Sequence, residues 1–418
     1  MQKTLLIYPP FCTPASPAYS IANLFTFLKN NLPNSYELKA LDLNLLFHKL
    51  KFPKDQEYFQ NFDQNYSFED YNEKSHQYMI ESMECYSKNN KLVINEQSPE
   101  FLAELVKEII SSKPDLIAFS VVYSSQVFYT YALIKELNKK KGLKKLRWKI
   151  TIGGPAVNSK LIEVADKSLA NEIELLQEIV GKKVEHQKLD YQKVIDFNCL
   201  SLREYFVPEV VYPLRTISAC PYQKCAFCTH HGSMKYFEYD LNQVRETILK
   251  NKMKKVFFFD DLIPKKRLLE LAKIVKPLKI EWICQLRPTK DLDRETLQKL
   301  FDSGLRAVMW GVESGSNRVL ELIKKGTKVE EVKVILRDAN NVGIKNILFI
   351  MFGFPTETEA EFLDTINFLN ENKEYIDLIL ASVFGLQKGS PVYKNPEEYG
   401  ITNIIEKKRT ILDEKISY

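Results

Sequence analysis

The sequence predicts an α/β protein in two parts: a doubly wound parallel sheet over residues 1–200, then an incomplete β/α barrel over 201–385, with a short tail over 386–418. Three observations carry that expectation. Short apolar runs alternate with amphipathic stretches along nearly all of the 418 residues, which is the pattern of repeated βα units. The alternation is broken once, over 45–98, and begins again at a cluster of cysteines. The residues least suited to a core fall just after the apolar runs, where the strands of such sheets end and ligands bind.

In the first part the expected strands are Thr4–Tyr8, Glu37–Leu41, Asp115–Val121 and Lys149–Ile152. The expected helices are Tyr19–Asn30, Phe101–Ile110, Phe128–Asn138 and Lys160–Ala165. Its strand ends carry Pro9 and Pro10, Ser120 followed by Tyr123, Ser124 and Gln126, and then Gly153-Gly154-Pro155. Each loop is read either as a ligand surface or as turn chemistry. No Gly-x-Gly-x-x-Gly follows the first strand, so a dinucleotide is not indicated. The interruption at 45–98 is rich in Phe, Tyr, Asn, Asp and Gln and reads as helical cover, either peripheral or a substrate-side cap.

In the second part six apolar runs, Leu214–Ala219, Val256–Phe259, Ile280–Gln285, Leu305–Val312, Asn346–Phe352 and Ile376–Phe384, read as strands. The helices between them are Leu241–Lys250, Lys265–Val275, Arg294–Ser303, Val329–Asn341 and Glu359–Asn370. The strand ends deliver Cys220, then Asp260 and Asp261, then Gln285 and Arg287, then Glu313 and Ser314, then Gly353 and Pro355. For each charged residue the structural alternative is a loop-anchoring ion pair or a helix cap, Asp261 being placed to cap the helix after Pro264.

Composition narrows the class. With 45% hydrophobic residues the chain can bury two cores. Its start lacks the order of a signal peptide, and no apolar run reaches membrane-spanning length, so the reading is a cytoplasmic protein without a membrane partner. Seven cysteines, three of them clustered, do not resemble a secreted disulfide framework. The net charge of +5 is a small excess of 59 Lys and Arg over 54 Asp and Glu. No basic stripe is interleaved with aromatics, so nucleic acid is not indicated as a partner.

The cluster is Cys220, Cys225 and Cys228, spaced C-x4-C-x2-C. Three thiolates leave one position of a four-ligand centre open. Spacing alone allows a structural zinc, with His230 or His231 as fourth ligand, as well as an iron–sulfur cluster. The preceding β-like stretch, and the lack of a second Cys or His pair downstream, favour the cluster.

The cysteines, the six βα units, the run Trp310-Gly-Val-Glu-Ser-Gly-Ser316 with Lys325-Gly326-Thr327, and the loop Met351-Phe-Gly-Phe-Pro-Thr-Glu-Thr358 together resemble the radical S-adenosylmethionine superfamily. The first part is similar to its cobalamin-binding branch, in which a Rossmann-like cobalamin domain precedes a partial (β/α)6 barrel. The commonest family spacing is C-x3-C-x2-C; the longer spacing here is a variant associated with some cobalamin-type members. The resemblance implies a 4Fe-4S cluster on Cys220, Cys225 and Cys228, with S-adenosylmethionine on the open iron. It implies S-adenosylmethionine contacts from Phe227, Asp260, Asp261, Arg287, Glu313, Ser314 and Gly353. It also implies cobalamin contacts from Pro9, Pro10, Ser120, Tyr123, Ser124, Gln126, Gly153, Gly154 and Pro155, without the Asp-x-His-x-x-Gly element, which many members of this branch lack. The acidic fifth-strand signature is reduced to Ala170-Asn-Glu172.

Expected partners are an electron donor such as flavodoxin or ferredoxin and a small-molecule, peptide or protein substrate. Peptide is pointed to by Phe384–Ser390 and Asn395–Gly400, which resemble segments of peptide-modifying members. The implied activity is cobalamin-dependent methyl transfer to an unactivated carbon. Two alternatives stand beside it: radical oxidation, cyclisation or rearrangement without methyl transfer, and a zinc-stabilised binding protein.

Overall fold

The computed structural model describes residues 2–62, 67–144, 147–191, 193–230, 235–412 and 415–418. The chain divides into two compact units, Met1–Val211 with Lys408–Glu414, and Tyr212–Lys407 with Lys415–Tyr418.

The first unit holds β1 (Gln2–Tyr8), α1 (Tyr19–Asn31), β2 (Tyr36–Asp42), α2 (Leu43–Lys51), α3 (Pro53–Gln60), α4 (Phe68–Ile94), α5 (Leu102–Ser111), β3 (Leu116–Ser120), α6 (Val127–Lys144), β4 (Lys149–Gly153), α7 (Ser159–Val164), β5 (Lys167–Leu169) and α8 (Glu172–Val180). Its five strands are parallel and ordered β2-β1-β3-β4-β5. Alternate residues point to opposite faces of a strand, and both faces are covered. Leu5 and Ile7 belong to one buried cluster together with Phe47, Leu105 and Leu133. Leu6 and Tyr8 belong to the other, with Ile21, Phe27 and Leu176. The near-continuous apolar strands of the sequence follow from this two-sided burial. The interruption at 45–98 is helical, and the fully buried His48 anchors it: Nδ1 lies 2.7 Å from the Tyr78 hydroxyl, among the rings of Phe11, Phe52 and Phe206.

The second unit begins on β6 (Val211–Leu214) and continues through α9 (Leu241–Lys250), β7 (Lys255–Phe258), α10 (Lys265–Val275), β8 (Glu281–Leu286), α11 (Arg294–Asp302), β9 (Leu305–Glu313), α12 (Asn317–Leu322), α13 (Val329–Asn341), β10 (Lys345–Phe352), α14 (Glu359–Glu371) and β11 (Leu378–Val383). These strands form one open sheet of order β11-β10-β9-β8-β7-β6. In β8 and β9 buried residues such as Trp282, Cys284, Val308 and Trp310 alternate with half-buried ones such as Gln285, Met309, Gly311 and Glu313. That alternation fits a sheet covered by helices on one face and more open on the other. The last segment holds α15 (Pro391–Lys394) and an antiparallel pair, β12 (Ile405–Lys407) and β13 (Lys415–Ser417).

The first strand of this sheet ends earlier than its apolar run predicts. Residues Leu214–Ala219 read as the strand, but β6 stops at Leu214. The buried Asp260 carboxylate accepts both the Thr216 and Ile217 N–H groups at 3.0 Å and the Thr216 hydroxyl at 2.9 Å, which takes that backbone out of the ladder. Among the described residues no helix is long and apolar enough to cross a membrane.

Candidate functional site

The cysteine segment follows β6 and is fixed mainly by its backbone. The Ala226 N–H donates to Ile323 O at 2.8 Å, the Val392 N–H donates to Ala226 O at 3.2 Å, and the Cys228 N–H closes a turn onto Cys225 O. Cys220, Cys225 and Cys228 are all partly exposed and in no disulfide. Burial raises the thiol pKa of Cys225 and Cys228, and the nearby Lys325 ammonium opposes it in both. The three sulfurs lie within electrostatic reach of one another.

Among the described residues no group of three or more His, Cys, Asp or Glu converges on a single metal ion. A 4Fe-4S cluster binds its thiolates one to an iron and does not require that convergence. The lack of such a convergence therefore does not speak against a cluster on the three thiols. Of the zinc alternatives, His231 lies outside the described residues. His230 is engaged through Nδ1 with Asp261 Oδ2 at 3.0 Å, while its backbone N–H donates to Cys228 Sγ at 3.4 Å.

The other candidates sort by what they touch. Asp260 is fully buried, its pKa raised by desolvation against the hydrogen bonds it accepts, and the contacts it makes hold the turn before the cysteines. Removing that carboxylate orphans two buried N–H groups, so Asp260→Ala is expected to cost on the order of 3 kcal/mol. Calorimetry would register this as a drop of several degrees in Tm. Asp261 does not cap α10, whose N-cap is Pro264 and which has no side-chain cap. It pairs with His230 instead, with Arg215 3.9 Å away, and His230 is the largest favourable influence holding its pKa low against desolvation. Ser314 is buried and bonded to Thr365 Oγ1 and the Ser316 N–H, so it shapes the strand end.

Arg287 stacks over the Tyr222 ring, with its guanidinium carbon 3.5 Å from the centroid, and donates to Lys325 O at 3.3 Å. Glu313 accepts Lys325 Nζ at 2.8 Å, and Lys325 Nζ lies 5.8 Å from the Phe227 centroid. Gly353 has φ 71°, a conformation that favours glycine, and its N–H donates to Glu357 at 2.5 Å. The structure thus brings Tyr222, Cys225, Phe227, Arg287, Glu313 and Lys325 together. Tyr222 was not singled out in the sequence, and Lys325 appeared there only within the Lys325-Gly326-Thr327 run, without a contact assigned to it.

In the first unit, the ends of β3, β4 and β5 and the start of α1 enclose a cavity of about 260 Å³. Ser120, Gly153, Gly154 and Pro155 line it, along with Asn23 and Asn171. Gly154 has φ 115°, and a Cβ there would stand 2.3 Å from Val121 O, so only glycine closes the β4 loop against β3. The strand order places the topological switch point between β1 and β3, where open sheets of this order bind ligands. Pro9, Pro10, Tyr123, Ser124 and Gln126 lie beside this cavity in sequence but do not line it. Gln126 is fully buried: its Oε1 accepts the Val122 and Tyr123 N–H groups and its Nε2 donates to Pro9 O at 2.8 Å. Its side chain clamps two strand-end loops together. Tyr123 stands half exposed on the same loop.

Residues 214–369 match the family model described as the radical SAM superfamily. Such a domain implies a 4Fe-4S cluster and S-adenosylmethionine, and enzymes of this superfamily require a reductant and a substrate. Among curated proteins, the chain is 24% identical over 210 residues to an uncharacterized methyltransferase, PH0819, of Pyrococcus horikoshii, covering 47% of this chain and 45% of that one. It is 30% identical over 135 residues to the tRNA-2-methylthio-N(6)-dimethylallyladenosine synthase of Thermotoga petrophila, covering 31% and 29%. These matches span less than half of the relatives' own length. Among solved structures, the cobalamin-dependent S-adenosylmethionine radical enzyme OxsB with aqua-cobalamin and S-adenosylmethionine bound aligns at TM-score 0.64 and 14% identity, covering 100% of this chain and 64% of that one. The radical S-adenosylmethionine methyltransferase TsrM of Kitasatospora setae aligns at TM-score 0.59 and 15% identity, covering 94% and 77%. At these identities the likeness is one of fold: a Rossmann-like sheet followed by a partial barrel. Residues 214–369 of this chain are thus similar in sequence to the radical SAM superfamily, and the chain shares the fold of its cobalamin-dependent members.

Proposed function

We propose that the protein is a cobalamin-dependent radical S-adenosylmethionine methyltransferase acting on an unactivated carbon of a small molecule or peptide. The observation that carries this reading is the pairing, in one chain, of a radical SAM domain with a five-stranded sheet of order β2-β1-β3-β4-β5 whose strand ends enclose a cavity. When bound, the cluster and S-adenosylmethionine supply one-electron cleavage to methionine and a 5′-deoxyadenosyl radical, and the corrinoid supplies the methyl group.

The residues of this chain do the holding. Cys220, Cys225 and Cys228, as thiolates, would hold the cluster by three of its irons and would leave one iron available to S-adenosylmethionine. Phe227 and Gly353 flank the adenine, Gly353 by permitting close backbone approach. Glu313 accepts hydrogen bonds from the ribose hydroxyls or the amino group. Arg287, stacked on Tyr222, stiffens the loop that carries Lys325. In the first unit Ser120, Gly153 and Gly154 offer a narrow, mainly apolar slot for the nucleotide tail of a corrinoid, and Tyr123 presents a ring beside it.

A second reading, radical chemistry without methyl transfer, is favoured by one observation: the corrinoid-side loop offers no histidine, and Gln126 is spent on backbone. The two separate without knowledge of the substrate. Protein reconstituted anaerobically with hydroxocobalamin, then given S-adenosylmethionine and a low-potential reductant, is expected to form S-adenosylhomocysteine equimolar with bound corrinoid, along with 5′-deoxyadenosine. Deoxyadenosine alone would support the second reading.

A further inference from the structure

Lys325 is a buried cation around which four separate features of the second unit are arranged. Its side chain and that of Glu313 are 9% and 13% exposed, with Nζ and Oε1 2.8 Å apart. Strand β9 is bare at Gly311, where a Cβ would stand 2.6 Å from Lys325 Nζ and 3.1 Å from Glu313 Oε1. The register of β9 against β10 shifts at this point, and Glu313 sits at φ 70°, a left-handed conformation that is unfavourable for a non-glycine residue. The backbone carrying Lys325 is tied to the cysteine segment: the Tyr222 hydroxyl donates to Lys324 O at 2.8 Å, and the Ala226 N–H donates to Ile323 O at 2.8 Å. A buried ion pair is in general no more stabilising than well-packed apolar residues of the same volume. Stability alone therefore does not account for a glutamate in a left-handed conformation, a glycine that leaves room for the pair and a buried lysine built into one contact.

We propose that Lys325 is the fixed counter-charge of the iron–sulfur centre: its ammonium, aimed by Glu313 across Gly311 toward Phe227 and the cysteine segment, favours the one-electron-reduced state of a cluster held by Cys220, Cys225 and Cys228. The inference rests on the reading of those cysteines as cluster ligands. Adding one electron makes the centre more negative by one charge, so a nearby buried cation stabilises the reduced form more than the oxidised form, and a nearby carboxylate does the opposite. Lys325 thus acts through the cluster as a positioning charge, and Glu313 sets how much of that charge the cluster feels.

The test is a potentiometric titration of reconstituted protein, with dithionite and viologen mediators, followed by electron paramagnetic resonance. In Lys325→Met the reduced-to-oxidised ratio at a fixed potential is expected to fall about tenfold, which is 59 mV for one electron. Lys325→Arg keeps the ratio within about threefold, and Glu313→Gln moves it the opposite way, each with iron content unchanged; this pattern of signs supports the proposal. Wild-type and Lys325→Met proteins of equal iron content and equal ratio would overturn it. So would a shift of the same sign in Lys325→Met and Glu313→Gln, which would mark a change in solvent access. If Lys325→Met fails to fold, the arginine and glutamine variants carry the same comparison. A wild-type protein that takes up no iron would instead sink the reading of the cysteines.

Discussion

Cys225→Ala, reconstituted anaerobically, is expected to lose its iron and to cleave S-adenosylmethionine at least about a thousandfold more slowly than wild type, equivalent to ~4 kcal/mol of barrier. Its thermal unfolding should stay close to that of wild type. The reason lies in what holds the segment. Its anchors are backbone hydrogen bonds at Ala226 and Cys228, and the Cys225 side chain is only partly buried, so removing the sulfur removes a ligand but little packing. Cys225→Ser should fail in the same way, because a hydroxyl is a poor substitute for a thiolate on iron. Iron and sulfide analysis, with product chromatography, checks both expectations. An alanine variant that keeps iron and cleavage would show that the trio does not hold the cluster.

The second large effect is expected in the other unit. Asn23 lines the cavity of about 260 Å³ from α1 and is partly exposed, so the larger indole of Asn23→Trp should obstruct it from the helix side without disturbing the sheet. Corrinoid uptake is expected to fall at least about tenfold, ~1.4 kcal/mol of binding, with iron uptake and thermal midpoint unchanged. Gly154→Ala makes the contrast. Its Cβ would meet Val121 backbone at 2.3 Å in a left-handed conformation, so it should lose stability together with corrinoid binding. Equilibrium dialysis against hydroxocobalamin, alongside calorimetry, separates the two variants. Unchanged uptake in Asn23→Trp would place the corrinoid elsewhere or remove it from the account.

Much of the architecture was legible because burial on both faces leaves a simple trace in sequence. Leu5-Leu6-Ile7 is continuously apolar since each residue packs into one of two cores, and such runs spaced by amphipathic stretches leave few alternatives to parallel βα units. The end of β6 was not legible, because the apolar run through Ile217 continues while the backbone turns to satisfy a carboxylate more than forty residues away. Polar and charged residues at strand ends were visible as unusual, but their division of labour was not: Asp260 and Ser314 are consumed by neighbouring backbone and hydroxyl groups, whereas Asp261 and Glu313 keep ionic partners. Lys325 was visible only as part of the Lys325-Gly326-Thr327 run and was given no contact, because a lysine in Ile323-Lys-Lys-Gly326 does not stand out in a lysine-rich chain. The signal was Gly311, two residues before Glu313, a gap in a strand that would otherwise carry a side chain. The closing segment reads as polar, yet Ile411 is 4% exposed and its carbonyl accepts a hydrogen bond from Asn158 at 2.8 Å. A single apolar anchor in a charged stretch has no periodicity to betray it.

The most direct test of the account is metal and corrinoid analysis, with an anaerobic ultraviolet–visible spectrum, of protein reconstituted with iron, sulfide and hydroxocobalamin. The account predicts a broad charge-transfer absorption with about four irons per chain, bleached by reductant, and stoichiometric corrinoid. Cluster without corrinoid would contradict the methyl-transfer assignment, and a colourless protein holding zinc would contradict the radical chemistry altogether.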